Sequence, residues 1–191
     1  MIWWPTEIPN LSRGLIHLRK PELKDTQAVF DSCQDPLIPR FTAISADYSM
    51  AHALDYVQRV DASLRTQREL PLVIEYGNGD DRKFAGTISF HSISVKNSVG
   101  EIGYWMTESM RGKSIATVAV RMLTDFGFAT IGFKRIEAMV DIENIASTKL
   151  LASAGYQREG LLRRKVARDD GRQVDMYLFA AIADEWEHLS Q

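Results

Sequence analysis

The chain holds a single cysteine, Cys33, among its 191 residues. That excludes an internal disulfide and any metal cluster built on thiolates, so no metal is expected. No run approaches the ~18 apolar residues of a membrane span, and no membrane partner is expected. The opening Met1, Ile2, Trp3, Trp4 and Pro5 form a stretch too short and polar-flanked for a secretory leader. Cytoplasm is therefore the expected compartment. An excess of one charge is lacking too: 23 lysines and arginines face 25 aspartates and glutamates, a net charge of −2. Such a chain has no global polycation with which to displace counterions, so direct nucleic-acid binding is not expected. Repeats, linkers and low-complexity tracts are absent, and the length fits one domain over residues 1–191 with a core of its own.

The apolar residues recur with periods that change along the chain. Leu15, Ile16, His17, Leu18 and Arg19 read as a short strand ended by Pro21. Asp25 then opens a helix with Ala28, Val29 and Cys33 on one side, closed by Asp35 and Pro36. Cys33 on that apolar side reads as core. Leu54, Val57, Val60 and Leu64, at three- and four-residue steps, predict a second helix. Residues 72–76, 84–93 and 100–106 read as strands separated by turns at Gly77, Asn78, Gly79 and Asp80, and at Asn97: an antiparallel meander. Ile115, Ala119, Met122, Leu123 and Phe126 then describe an amphipathic helix from Ser114 to about Gly132. Residues 135–140 form a strand, Asn144 opens a helix ended by Gly155, and two strands over 157–166 and 173–180 flank a turn at Asp169, Asp170 and Gly171. Strands mix with two crossovers, which is α+β and not a doubly wound sheet. Trp3 and Trp4 read as an arm packed on the domain.

One stretch carries chemistry. Residues 101–117 read EIGYWMTESMRGKSIAT: a strand, a short polar loop, then a helix start. Amides at a helix start have no internal acceptor, and the helix dipole adds partial positive charge. Small residues at Gly112 and Ser114 let a phosphate approach, while Arg111 and Lys113 add charge, so a diphosphate is the natural guest. The alternative is a plain helix start with solvated cations. The loop lacks both the three-glycine spacing of a dinucleotide fingerprint and the ending of a P-loop.

In this region the chain resembles the GNAT superfamily, whose acyl-CoA loop reads Arg/Gln-x-x-Gly-x-Gly/Ala; here it runs Arg111, Gly112, Lys113, Ser114, Ile115, Ala116. It is similar in more detail to the RimJ/RimL-type ribosomal-protein alanine N-acetyltransferases. That likeness is carried by Glu101 to Trp105, by Arg111 to Lys113 with Ala116 and Thr117, by Arg135 to Ala138 and by Asn144 to Ser147. Leu18, Arg19 and Asp25, Asp35 with Pro36, Gly171 and Arg172 with Asp175, and Glu185 with Trp186 match in the same order. Ser114 stands where the family usually has the loop's middle glycine, which puts the strength of coenzyme binding in question.

The resemblance implies a mixed, mostly antiparallel sheet of about seven strands and about four helices, with a splayed central strand pair. It implies acetyl-CoA as acyl donor and an amine as acceptor. Trp105, Met106 and Thr107 would pair with the pantetheine arm; Arg111, Gly112, Lys113, Ser114, Ile115, Ala116 and Thr117 would hold the diphosphate. Asn144 would bond the pantetheine and Ser147 would lie near the sulfur as an acid; N-capping is the other reading of this pair. Many relatives use a tyrosine on this helix, where Leu151 stands here. Glu101 is the expected base, with a surface or salt-bridged glutamate as the alternative and His91 in reserve. Tyr156 reads as core.

Acceptors of three kinds stay open: a protein N-terminal amine with a ribosomal protein as partner, a small amine such as a polyamine, aminoglycoside or amino acid derivative, or none, in a non-catalytic acyl-CoA sensor. An α-amine with a pKa of about 7.7–8.0 asks less of a base than a lysine amine at about 10.4, whose distance from pH 7 is worth roughly 4.6 kcal/mol. Arg158, Arg163, Arg164, Lys165, Arg168 and Arg172 crowd the last hairpin, either as a solvated face or as a patch for an acidic partner. A homodimer is compatible with the sequence.

Overall fold

The computed structural model describes residues 2–168 and 171–188. Among the described residues a single sheet carries eight strands: β1 (Leu11–Arg13), β2 (Ile16–Arg19), β3 (Glu69–Tyr76), β4 (Lys83–Ser94), β5 (Val99–Met106), β6 (Arg135–Asp141), β7 (Gln157–Ala167) and β8 (Gln173–Ile182). Their order is β1-β2-β3-β4-β5-β6-β8-β7. Every neighbouring pair is antiparallel except β5 with β6. Six α-helices among the described residues accompany it: α1 (Thr26–Cys33), α2 (Leu37–Phe41), α3 (Met50–Gln58), α4 (Val60–Arg65), α5 (Ile115–Phe126) and α6 (Ile145–Ala154). A π-helical turn, Gly127–Ile131, extends α5 to the left-handed Gly132.

Three differences from the sequence reading have local causes. The eighth strand is β1, three residues long and hairpinned onto β2. Pro36 does not only close α1; the Asp35 carboxylate accepts the Leu37 amide at 2.9 Å and α2 begins at once, since proline suits a helix start as well as a stop. The helix expected through Leu54 and Leu64 divides at Arg59, which caps both α3 and α4. Its inward stripe is Ala53, Val57, Val60 and Leu64, while Leu54 is 39% exposed.

The core has two parts. α5 and α6 set Ile115, Ala119, Leu123 and Leu151 against the sheet face bearing Ile88, Phe90 and Ile102. On the other face, Val29, Cys33, Ile38 and Ala53 of α1–α3 pack with Phe84 and Trp105. Burial pushes the Cys33 thiol up to about 12, so it is an inert core group. Arg19 fastens the first segment by donating to both Asp25 oxygens at 2.8 Å and to Glu75 at 2.6 Å. The N-terminal arm lies on the domain: Ile2 and Ile8 are buried, and Trp4 Nε1 donates to the Leu64 carbonyl at 2.8 Å.

One irregularity makes the site. β5 and β6 pair only from Val99↔Arg135 to Glu101↔Glu137. Beyond that point β5 continues to Met106 beside β4 and β6 to Asp141 beside β8. The strands splay, and the crossover helix α5 starts over the gap.

Candidate active site

A cavity of about 910 Å³ occupies the splay and extends from the start of α5 to the α1–α3 side of the sheet. That volume suits a cofactor-sized ligand.

At one end the wall is backbone. After β5, a 3-10 turn (Glu108–Met110) leads to Arg111, whose amide donates to the Glu108 carbonyl at 3.2 Å. The next amide with a backbone acceptor is that of Val118, bonded to the Ser114 carbonyl at 3.2 Å. Among the described residues the amides of 112–117 between them have none, and all six residues line the cavity. Gly112 (φ 72°) and Ser114 (φ 58°) are both left-handed, the turn geometry that gathers successive amides into an anion cradle. A left-handed φ is free to glycine and costs other residues about 1–2 kcal/mol. Ser114 therefore keeps the loop's shape and carries strain. Its hydroxyl makes no capping bond.

Arg111 and Lys113 part company. The Arg111 guanidinium folds back, donating to the Met106 carbonyl at 2.9 and 3.2 Å and lying 2.5 Å from Asp35. Its charge closes the loop and ties it to the α1–α2 turn. Lys113 is exposed at the mouth, with no ion-pair partner among the described residues.

Trp105 and Met106 of β5 and Thr107 just beyond it, expected along the pantetheine arm, differ in what they present. The Thr107 amide is spent on the Ala85 carbonyl at 2.9 Å, and Thr107 does not line the cavity. The Trp105 carbonyl lies against Gly86, where a Cβ would collide with it. Backbone groups alternate sides along a strand, so Met106 and Tyr104 are the residues whose main chain faces the gap.

Asn144 and Ser147 stand across the gap on α6. Asn144 Oδ1 accepts the Ser147 amide at 3.0 Å, which is N-capping, and leaves its side-chain NH₂ for the cavity that it lines. Ser147 Oγ lies 2.7 Å from the Tyr104 hydroxyl. Sequence reasoning missed Tyr104, because alternation on β5 puts it with Ile102 and Met106 on the core side. Leu151 is fully buried, and Tyr156 is a core residue whose hydroxyl meets Thr124 Oγ1 at 2.7 Å.

The other end is made of side chains. Thr87, Ser89 and His91 of β4 stand opposite Trp105, Gly103 and Glu101 of β5, and all six line the cavity. His91 Nδ1 is 4.0 Å from the Glu101 carboxylate. Its ring lies over Gly103, where a Cβ would come within 2.8 Å of Nε2; the glycine makes room for the imidazole. Burial holds the Glu101 carboxyl above its ordinary range, against the pull of His91 and a Ser92 hydrogen bond, with Glu137 adding to the rise. A carboxylate raised in this way is a better proton acceptor at neutral pH. Val29, Ile38, Tyr48 and Tyr56 form the facing wall. Arg168 of the last hairpin donates to Asp141 at 2.9 Å and to the Thr42 carbonyl at 3.0 Å, bracing one side. Asp169 and Asp170 of the expected turn lie outside the described residues.

A cradle of free amides, a splayed parallel pair and a carboxylate at the fork define an acyl-CoA transferase fold. The family described as the acetyltransferase (GNAT) domain matches residues 16–157, and the chain belongs to it. It is an N-acetyltransferase of that family, with acetyl-CoA as donor. The uncharacterized N-acetyltransferase p20 of Bacillus licheniformis is 34% identical over 171 residues, 88% of this chain and 93% of that protein. The ribosomal-protein-serine acetyltransferase of Escherichia coli (strain K12) is 30% identical over 99 residues, 52% and 55% of the two chains. Mycobacterium smegmatis RimJ, solved in complex with CoA-disulfide, superposes with a TM-score of 0.78 at 29% identity, covering 90% of this chain and 84% of that one. No described helix is long and apolar enough to cross a membrane.

Proposed function

We propose that the enzyme acetylates a protein N-terminal α-amine, with Glu101 as base and Ser147 facing the leaving sulfur. The observation that carries this is continuity: the unpartnered amides of 112–117 and the Glu101 carboxylate line one cavity. A diphosphate on the amides sends an extended arm along the Met106–Tyr104 edge toward the fork of β5 and β6. Lys113 adds charge at the mouth, and the Asn144 NH₂ serves the arm from the other side. At the fork an ammonium gives its proton to Glu101, and the neutral amine attacks the thioester carbon. Kinship with the serine acetyltransferase and with RimJ supports an N-terminal acceptor, and so does the smaller pKa gap of an α-amine. A ribosomal protein is the partner this reading favours, its approach aided by the exposed Arg163, Arg164 and Lys165 on β7.

One observation favours a second acceptor class. The Arg168 brace to Thr42 and Asp141 narrows the acceptor end, which suits a small amine. Two features argue against a silent sensor: Ser114 adopts the φ the loop requires, and a tyrosine hydroxyl reaches Ser147 from β5. The test is thiol release from acetyl-CoA with a panel of N-terminal peptides, diamines and lysine derivatives. Peptides should turn over with the highest kcat/KM, and Glu101→Gln should abolish most of it. Turnover of small amines alone selects the second class, and equal turnover by Glu101→Gln removes that residue from the base role.

A further inference from the structure

The Tyr104 side chain comes from β5 and reaches across the splay to the first turn of α6, where its hydroxyl meets Ser147 Oγ at 2.7 Å. Either oxygen can donate in such a pair, and the surroundings decide. Tyr104 is half-buried at the cavity edge, and burial pushes its phenol well above the ordinary tyrosine range, so it stays protonated. Its hydrogen has no acceptor other than Ser147 among the described residues, and leaving it unmade would cost about 1–3 kcal/mol. Both residues border the cavity, and a Ser147 hydroxyl that accepts from the phenol keeps its own hydrogen for that space. With Tyr104 as donor, Ser147 is the acceptor and the serine hydrogen is directed away from the phenol.

We propose that Tyr104 is a positioning residue: by donating to Ser147 Oγ it turns the Ser147 hydroxyl into the cavity as a fixed hydrogen-bond donor to the sulfur of the breaking thioester. This rests on the acyl-transfer reading above. The amine nitrogen bonds to the acyl carbon, the C–S bond breaks, and its electron pair stays on sulfur. One ammonium proton goes to Glu101 and on to solvent before attack, and the second, shed from nitrogen as the amide forms, leaves by the same route. The thiolate, held by Ser147, takes its proton from solvent, and Tyr104 and Ser147 keep theirs. A fixed donor of this kind acts where charge develops, so its removal lowers kcat rather than raising KM.

The experiment is a double-mutant cycle on acetyl transfer, joined to a titration that needs no acceptor. Tyr104→Phe conserves volume and Ser147→Ala is small, so both should fold, as thermal melting checks. Each should lower kcat roughly tenfold with the acetyl-CoA KM held within about twofold, and the double variant should lose no more than either one. Multiplying losses, an unchanged kcat in Tyr104→Phe, or a rise in KM alone would overturn the proposal. Separately, the ultraviolet absorbance of the thiolate is followed while protein-bound coenzyme A is titrated with base. The bound thiol should be roughly tenfold more acidic in the parent than in either variant, and equal acidity in all three overturns the inference. A parent that binds coenzyme A but acetylates no amine sinks the acyl-transfer reading, and the titration still decides the role of Tyr104. A parent that does not bind coenzyme A sinks both.

Discussion

The two ends of the cavity are built from different materials. The end proposed for the acyl donor is backbone: amides of 112–117 in a short contiguous loop, shaped by two left-handed residues. The end proposed for the acceptor is side chains drawn from α1–α3, β4, β5 and the last hairpin, joined by contacts such as Arg168 to Thr42 that span 126 positions. A backbone cradle tolerates substitution as long as φ is kept, which is why serine can stand in for glycine at 114. A side-chain pocket changes with every residue, so donor and acceptor specificity come apart in the same fold.

Substitutions should separate the two ends. The largest effect belongs to the acceptor end: Glu101→Gln should lower kcat/KM by about 10²–10⁴-fold while leaving coenzyme A affinity unchanged by calorimetry. Because burial raises the Glu101 pKa, parental kcat/KM should fall with acid at a higher pH than an ordinary glutamate would give. The same raised pKa means that the protonated form favours folding and that this stability is lost as pH rises through the folded value. Glu101→Gln should therefore melt above the parent at neutral pH, a gain in stability alongside a loss in rate.

Next comes the tie between the ends. Arg111→Met removes the guanidinium from Met106 and Asp35 and frees the loop, so the Kd for coenzyme A should rise roughly tenfold, about 1.4 kcal/mol. Its measurement beside Lys113→Ala sharpens the contrast. The exposed lysine should cost only roughly two- to fivefold at low salt, and the difference should fade as ionic strength rises. A larger loss from Lys113 than from Arg111 would contradict the assignment of Arg111 to closing the loop.

The smallest effect is a gain. Ser114→Gly relieves a left-handed φ of 58° worth about 1 kcal/mol, less the added freedom of glycine in the unfolded chain. Melting should rise by at most ~2–4 °C, with coenzyme A bound at least as tightly. A fall in melting temperature would show that Ser114 is not strained.

The same division explains what the sequence revealed. The cradle was visible because its residues are consecutive and the hydrophobic period changes at Ser114, with Ile115, Ala119 and Leu123 marking the helix behind it. The meander was visible through turns at Gly77 and Asn97. β1 was missed because three residues beginning Leu11-Ser12 make no apolar run, and α2 because Pro36 reads equally as stop and start. The break at Arg59 leaves no trace in side-chain spacing. Tyr104 was hidden by correct alternation, which placed it with the core while its long side chain reaches the site edge. The acceptor wall of Ile38, Tyr48 and Tyr56 carries no local motif, since only tertiary packing brings it to Glu101.

The central claim is that main-chain amides at the start of α5 hold the diphosphate of the acyl donor. Calorimetric titration of the parent enzyme with coenzyme A and, separately, with pantetheine, which shares the thiol arm and lacks the diphosphate, tests it most directly. Coenzyme A should bind at least roughly a hundredfold more tightly, about 2.7 kcal/mol. Equal affinity for the two, or no heat from coenzyme A, would contradict the account.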